Sequence, residues 1–302
     1  MTNTTVTIQE PSAPTHADFW ERGNVDNFIQ VADSSEKNRE VFTKIEEYKA
    51  DVVGITETGL DWRLIPQEDG MYQRTKASKR ACKATVAHNL QDKPTDKTQH
   101  GGTLMMSFPE TIPRLIDASI DPEKLGRWVS HAVEGKGSHT IRYVAAYNPC
   151  NSRGNSTVHI QHQEHFRRKG TDREPRQAFL EDLRTAATAW IEAGEKVVMS
   201  MDANEDVRTG PLNAMLNSLG FQEQITGTHS AKGPPPATHD RNTKHIAIDG
   251  IWTNFAHGEL RCGHMGFGEG LPGDHRTAWI DIPFEEAFGC RPPTCIECAP
   301  PT

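Results

Sequence analysis

Long hydrophobic runs are missing from this 302-residue sequence, and no apolar stretch approaches the roughly 20 residues that a membrane-spanning helix needs. The first 17 residues are polar and rich in Thr and Pro, without the basic start and apolar stretch of a signal peptide. We therefore expect no membrane partner and no secretion. We expect an intracellular monomer, nuclear or cytoplasmic, in which residues 1–17 form a disordered N-terminal lead.

Positive charge is also scarce. The formal net charge is −8, which disfavours nucleic-acid binding because such binding gains most of its affinity from basic surface. Carboxylates that hold a metal ion are neutralised in a working enzyme, however, and the charge is uneven along the chain. One basic cluster lies between Arg74 and His100, and a second consists of Arg167, Arg168 and Lys169. Each cluster is either a solvated face or a surface that meets an anionic substrate.

Cysteine is limited to six residues. Three of them are scattered, as expected of a reduced intracellular protein: Cys82, Cys150 and Cys262. The others lie close together near the C-terminus: Cys290, Cys295 and Cys298. With His264 these three have the residue types of a zinc site, but their spacing is not that of a zinc ribbon. We therefore favour a loose Pro- and Cys-rich tail over residues 286–302, with zinc binding as the alternative.

Strand-like and helix-like runs alternate along the chain, which predicts an α/β fold. Pro175 at the start of an apolar face and Gly194 at its end delimit the clearest helix. We predict helices at 34–48, 175–193 and 211–219, and strands at 51–56, 103–107, 127–133, 139–147, 196–201, 245–252 and 276–282. One domain over residues 18–285 is the simplest account of this pattern.

Polar residues suited to catalysis stand at or just past the ends of these apolar strands, as do Glu57, Tyr147, Asp202 and Asn204. Asp249 lies inside an apolar run, and Asp274 and His275 come just before the last strand. Strand ends of an α/β sheet meet at one rim, where open sheets usually bind their ligands. Carboxylates gathered there repel one another unless a cation joins them, and oxygen ligands suit Mg²⁺ or Mn²⁺ more than zinc. Taken singly, each residue has a plainer interpretation as a turn residue or a buried polar side chain.

The combination of a hard metal ion, carboxylates, Asn and His points to phosphoryl chemistry. A His next to an Asp, with a second Asp to orient its ring, suits stabilisation of the charge that develops in a transition state. Acyl transfer does not fit, because no Ser or Cys stands in a nucleophile elbow.

Six short segments carry these residues in order: 23–26, 53–58, 146–149, 200–204, 248–251 and 273–276. Their order and content resemble the motifs of the endonuclease/exonuclease/phosphatase superfamily. They are most similar to the exonuclease III and apurinic endonuclease branch and to the endonuclease domains of non-LTR retrotransposons. The resemblance runs from about Gly23 to Ile282.

The chain departs from the superfamily pattern at four positions without losing a catalytic side chain. Gly23 stands where Trp is usual, Met201 and Ala203 flank Asp202 in place of Gly and Phe, and Gly273 replaces Ser. We therefore expect an active enzyme.

The resemblance implies a DNase I-like, four-layer α/β sandwich in which two mixed sheets pack face to face with helices outside. It implies that Glu57 binds Mg²⁺, or Mn²⁺ in its place, with Asn24, Asp26 and Asp274 nearby. It also implies catalytic roles for five residues: Asp202 and Asn204 at the attacking water, His275 aligned by Asp249, and Tyr147 on the phosphate.

The implied substrate is DNA, as plain, abasic or structured duplex, with four basic residues as candidate contacts: Arg74, Lys76, Arg153 and Arg276. Two alternatives stay open. One is a phosphatase or phosphodiesterase acting on RNA or on small phosphate esters of the inositol phosphate type. The other is a catalytically silent nucleic-acid-binding module.

Overall fold

A computed structural model of the protein describes residues 18–24, 34–76, 78–94, 98–152, 154–229, 233, 235–240, 246–255 and 261–289. For residues 18–24, 34–38 and 68 it describes the backbone alone. The expected N-terminal lead, residues 1–17, and most of the expected tail, from residue 290 onward, lie outside the described residues. Within the described part, no helix combines the length and the hydrophobicity that crossing a bilayer requires.

Two six-stranded mixed sheets form the centre of the fold. The first sheet has the spatial order β11-β12-β1-β2-β4-β3, and only its β1–β2 pair is parallel. Its strands are β1 (Asp18–Asn24), β2 (Val52–Thr56), β3 (Lys83–Ala87), β4 (Thr103–Ser107), β11 (Arg261–His264) and β12 (Ala278–Ile282).

The second sheet has the order β5-β6-β7-β8-β10-β9, and only its β7–β8 pair is parallel. Its strands are β5 (Leu115–Ile120), β6 (Trp128–Glu134), β7 (Thr140–Tyr147), β8 (Lys196–Asp202), β9 (Gln222–Glu223) and β10 (Asp249–Thr253). Most of its pairs are antiparallel, so short turns join several neighbours, as between β6 and β7.

Seven α-helices accompany the sheets in the described residues: α1 (Ser34–Tyr48), α2 (Met71–Thr75), α3 (Val158–Arg168), α4 (Pro175–Glu192), α5 (Pro211–Ser218), α6 (Gln224–His229) and α7 (Phe284–Phe288). The longest, α4, begins where the Glu174 side chain accepts a hydrogen bond from the Gln177 N–H at 2.7 Å. Pro175 fits its first turn, and the left-handed Gly194 follows its end.

Side chains alternate across the strands and so build three hydrophobic layers. Val52 and Met105 of the first sheet pack between the sheets against Tyr143 and Val198 of the second. The opposite faces of the strands carry two outer layers. One packs the first sheet against α1, through Val41, Phe42, Ile45, Val53 and Ile55. The other packs the second sheet against α4 and α5, through Phe179, Leu183, Leu212, Val197 and Met199.

The order of layers is therefore helix, sheet, sheet, helix, and the expected four-layer α/β sandwich is confirmed. Most predicted elements coincide with observed ones to within two residues. The predicted strand at 245–252 begins too early, because β10 starts at Asp249 and residues 246–248 are not strand. There the backbone N–H of Ile248 turns to the Thr238 hydroxyl at 2.9 Å.

Candidate active site

Three polar residues lie side by side at one rim of the second sheet. In the parallel β7–β8 pair, Tyr147 is the register partner of Asp202. In the antiparallel β8–β10 pair, Asp202 is the register partner of Asp249. Register partners share a level across a sheet, so the strand pairing itself sets the row Tyr147–Asp202–Asp249. All three are buried.

Asp249 is hydrogen-bonded to the imidazole of His275, which approaches from the segment before β12. His275 Nδ1 lies 2.8 Å from Asp249 Oδ2, and both side chains are almost fully buried. The Thr238 hydroxyl oxygen accepts a hydrogen bond from the backbone N–H of Asp249 at 3.1 Å. This His–Asp pair is the one that the sequence predicted, and it fixes the orientation of the ring.

The turn after β8 is locked to the turn after β7. Asn204 has a left-handed backbone (φ 49°), and its N–H donates to Asp202 Oδ1 at 3.0 Å. Its side-chain amide donates to the Asn148 carbonyl at 2.8 Å, and the Asn148 amide donates to the Ala203 carbonyl at 2.8 Å. These reciprocal bonds hold Asp202 and Asn204 in fixed positions beside Tyr147.

Glu57 comes from the first sheet and faces this row. It follows β2 directly and has a left-handed backbone (φ 55°). Backbone pairing with the segment that precedes β4 resumes after Glu57, since the Gly59 N–H donates a hydrogen bond to the Gly101 carbonyl at 3.0 Å. Tyr147 is hydrogen-bonded to Glu57. Burial raises the pKa of Tyr147 well above its ordinary value, and the nearby charges of Glu57, Cys150 and Asp202 raise it further.

These residues enclose a cavity of about 260 Å³ between the rims of the two sheets. Its walls contain the predicted residues Glu57, Tyr147, Asp202, Asn204 and His275. They also contain three residues that were not predicted as site residues: Cys150, His239 and Ile248. The search for polar residues at strand ends could not identify His239, because His239 lies in an irregular segment. Its backbone reaches the site through a bridge to His275.

The donor set around the cavity fits a divalent cation. The carboxylates of Glu57 and Asp202 both act on the buried Tyr147, so negative charge converges there. Ligand atoms of Asp202, Asp249 and His275 lie within 4.8 Å of one another, and so do those of His239, Asp274 and His275. Of the other predicted metal ligands, Asn24 ends β1 beside Thr56, with no side chain described, and Asp26 lies outside the described residues.

Of the predicted substrate contacts, the three that the structure describes do not line this cavity. Arg74 is buried on α2, where its Nε donates to the Asp69 carbonyl at 2.7 Å and burial lowers its pKa. Lys76 is exposed, with its ammonium 5.0 Å from the Tyr72 ring. Arg276 donates to the carbonyls of Ala237 and Met265, at 2.9 and 3.1 Å, and its guanidinium lies over Phe267. Arg153 lies outside the described residues.

The second basic cluster is paired with acidic side chains. Arg167 binds Glu164 at 2.7 Å, Arg168 binds Asp92 at 2.5 Å, and Lys169 binds Glu123 at 2.5 Å. Charge neutralised in this way contributes less to attracting a polyanion than its count in the sequence suggests.

The cysteines that the structure describes, Cys82, Cys150 and Cys262, are free thiols. The Cys290, Cys295 and Cys298 group lies outside the described residues. His264, considered above as its zinc partner, is hydrogen-bonded to the Asp249 carbonyl at 3.2 Å. That contact ties His264 to the strand that carries Asp249.

No family model matches the sequence, and a sequence search of curated proteins finds no significant relative. Solved structures are similar in fold. An endonuclease/exonuclease/phosphatase family protein from Leptotrichia buccalis superposes with a TM-score of 0.55 at 13% identity, over 89% of this chain and 100% of that one. An AP endonuclease from Archaeoglobus fulgidus gives 0.54 at 14%, over 88% and 99%.

The endonuclease domain of TRAS1, a telomere-specific non-LTR retrotransposon, gives 0.54 at 14% identity, over 88% of this chain and 98% of that one. Identities of this size establish a shared fold, and the superpositions cover nearly the whole of each partner. The fold that the motif resemblance implied is thus confirmed in three dimensions. The chain has the DNase I-like fold of the endonuclease/exonuclease/phosphatase superfamily.

Proposed function

We propose that this chain is a divalent-metal-dependent phosphodiesterase that hydrolyses the DNA backbone, with residues 18–285 as its catalytic domain. One observation carries the proposal. The row Tyr147–Asp202–Asp249 is set by strand register, His275 is bonded to Asp249, and Glu57 faces the row from the other sheet. A carboxylate pair, a phenol and an oriented imidazole around one small cavity suit in-line attack on a phosphate.

Each side chain then has a role that its contacts support. Asp202 accepts a proton from the attacking water and holds it in line, and Asn204 keeps that carboxylate in place through its N–H. His275, fixed by Asp249, stabilises the charge on the phosphoryl oxygens. Tyr147 remains protonated at all working pH values, because its pKa is raised, and its hydroxyl positions the phosphate.

We propose Mg²⁺ as the cofactor, with Mn²⁺ as a substitute. Glu57 is its main ligand, Asp274 lies nearby, and the sequence motif adds Asn24 and Asp26. When bound, the ion acts as a Lewis acid on a phosphate oxygen and steadies the leaving 3′ oxygen. The oxygen-rich donors on the Glu57 side of the cavity match the preference of Mg²⁺ for carboxylate and amide oxygens.

DNA is the first substrate to consider because two of the similar structures are an AP endonuclease and a retrotransposon endonuclease domain. A second candidate, a small phosphate ester, is favoured by a specific observation. Several of the basic residues that would bind a long polyanion are buried or paired with acids, as at Arg74 and Arg168, although Lys76 is exposed. A ligand with a single phosphate needs none of that surface.

The deciding experiment is nicking of supercoiled plasmid DNA with Mg²⁺, with EDTA, and by His275→Ala. His139→Ala is the matched control, because His139 precedes the far end of β7, about 26 Å along the strand from Tyr147. Metal-dependent nicking that His275→Ala abolishes and His139→Ala keeps would support the proposal. Absence of nicking by the folded, metal-loaded protein would refute plain-duplex cleavage and turn attention to abasic DNA, RNA and soluble phosphate esters.

A further inference from the structure

The cavity contains a second imidazole for which the catalytic scheme has no role. His239 Nε2 lies 3.2 Å from Asp274 Oδ2. The His239 ring meets the His275 ring edge to face, with centroids 4.6 Å apart and planes inclined by 72°. Each of the three residues offers one ligand atom, and these atoms lie within 4.8 Å of one another. Two nitrogens and one carboxylate oxygen thus lie close enough together to share one ion.

The separation of His239 and Asp274 has the size of one edge of a coordination polyhedron. With metal–ligand bonds of about 2.1 Å, two ligands are about 3.0 Å apart at octahedral angles and about 3.4 Å apart at tetrahedral angles. The observed 3.2 Å lies between these values. An ion can therefore bridge the two donors without a large movement of either side chain.

His275 has the second contact that metal-binding imidazoles usually have. Such a ring gives its other nitrogen to a carboxylate, which fixes its tautomer and increases the basicity of the ligating nitrogen. Here Nδ1 is held by Asp249 Oδ2 at 2.8 Å. Nε2, on the opposite side of the ring, is consequently the nitrogen that serves as a ligand.

The backbone holds the two ligand segments together. Residues 238–240 pair with residues 274–276 through a bridge between His239 and His275. The Arg276 N–H donates to the Thr238 carbonyl at 2.7 Å, and the Asp240 N–H donates to the Asp274 carbonyl at 2.9 Å. Donors fixed in this way lose little conformational freedom when an ion binds.

We propose that His239, Asp274 and His275 form a binding site for a transition-metal ion of the Zn²⁺ type, distinct from the oxygen-rich Mg²⁺ position around Glu57. Imidazole nitrogens suit Zn²⁺, whereas Mg²⁺ prefers oxygen ligands. Three protein ligands leave a position for water or for a phosphate oxygen.

This site would also regulate the enzyme, a consequence that rests on the proposed phosphodiesterase function. Zn²⁺ bound to His275 occupies the nitrogen that would otherwise face the phosphoryl oxygens. Zn²⁺ is therefore expected to inhibit Mg²⁺-dependent hydrolysis, with His239 as the residue that makes the enzyme sensitive.

Metal binding is tested first, without any activity measurement. Co²⁺ replaces Zn²⁺ as the probe, because its visible d–d absorption reports bound nitrogen and oxygen ligands. The full chain is used with Cys150, which lines the cavity, and Cys290, Cys295 and Cys298 changed to Ser, so that these thiolates do not contribute. With Mg²⁺ in excess to occupy the Glu57 position, we expect one Co²⁺ to bind, and His239→Phe to weaken its binding by at least about tenfold. His139→Phe, the matched control, should bind as before.

A second variant separates ligation from hydrogen bonding. His239→Gln retains an N–H that can donate to Asp274 but provides a poor ligand, so it should weaken Co²⁺ binding as His239→Phe does. It also replaces the Phe variant should the latter fail to fold. Absence of Co²⁺ absorption in the parent protein, or equal absorption in the parent and the folded His239 variants, would overturn the site.

Inhibition is then measured on plasmid nicking at fixed Mg²⁺, with each protein compared with its own rate without Zn²⁺. The midpoint of Zn²⁺ inhibition should rise at least about tenfold in His239→Gln and stay unchanged in His139→Phe. An unchanged midpoint in His239→Gln would refute the regulatory role. A protein that binds Co²⁺ through His239 but never nicks DNA would retain the metal site and refute the proposed function instead.

Discussion

Changing Asp249 to Asn tests whether this carboxylate acts through His275. The side chain is almost fully buried, and the substitution preserves its shape while removing its charge. The hydrogen bond at 2.8 Å then changes from a charge-assisted bond, worth about 1.5–3 kcal/mol, to a neutral one, worth about 0.5–1.5 kcal/mol. The difference is about 1–1.5 kcal/mol, and at about 1.4 kcal/mol per factor of ten the rate should fall by about 5- to 12-fold. The loss approaches ~10⁴-fold if the amide NH₂ turns towards the ring and forces the wrong tautomer.

The assay is single-turnover nicking of plasmid DNA with saturating Mg²⁺, after circular dichroism has shown that the variant folds. Asp281→Asn is the matched control, since Asp281 is a half-buried carboxylate on β12 that pairs with Arg261 outside the cavity. It should stay within about twofold of the parent. In a His275→Ala background, Asp249→Asn should cost nothing further. A folded Asp249→Asn protein with the parental rate would refute the assignment, as would full additivity with His275→Ala.

Three further changes have distinct expected outcomes. Tyr147→Phe removes the hydroxyl bonded to Glu57 and should slow nicking about 10- to 150-fold. Because the pKa of Tyr147 is raised, the pH–rate profile of the parent protein should show no tyrosine ionisation up to about pH 9. The free energy of unfolding of Asn204→Ala should be about 1 kcal/mol lower than that of Asn204→Gly, because only Gly adopts a φ of 49° without strain. Thermal melts of the two variants check this. Burial lowers the pKa of His131 from 6.5 to about 4, so stability is fully present above pH 6.5 and falls as the pH drops towards 4, because the unfolded chain binds a proton at this histidine first. In urea titrations, the free energy of unfolding of His131→Gln should fall by roughly 3 kcal/mol less than that of the parent over this pH range. An equal pH dependence in the two proteins would contradict this prediction.

The arrangement of the strand-end residues was accessible to sequence reasoning because strand ends are local and register is not needed to find them. Glu57 and Asp202 each follow a continuous apolar run, and such runs mark buried strands. Their order in the chain, compared with the superfamily motifs, indicated the fold. The layering itself came from that resemblance, since periodicity alone does not say which strand pairs with which.

Other features depend on contacts between distant parts of the chain. Strand β1, near the N-terminus, lies between β2 and β12, and its residues Asp18–Asn24 have a mixed pattern that does not predict a central strand. His239 reaches the cavity through a bridge to His275, 36 residues later in the chain. The ion pair between Arg168 and Asp92 spans 76 residues, so the sequence shows a basic cluster where the structure has a neutralised one.

Glu57 and Asn204 share a backbone feature that explains why a strand end suits the site. In the middle of a buried strand, successive side chains point into the hydrophobic layers on either side of the sheet. An acidic side chain can therefore reach a cavity only from the end of such a strand. Both residues adopt left-handed conformations just past their strands, with φ 55° at Glu57, directly after β2, and φ 49° at Asn204, two residues after β8. For a residue with a Cβ this costs about 1–2 kcal/mol, and strain of this kind gathers at functional sites. At Asn204 the hydrogen bond from its side-chain amide to the Asn148 carbonyl offsets part of that cost. After Glu57, the backbone hydrogen bond from Gly59 to Gly101 holds the following residues in place. The strained positions are therefore held by their surroundings, as expected where the direction of a side chain matters more than local stability.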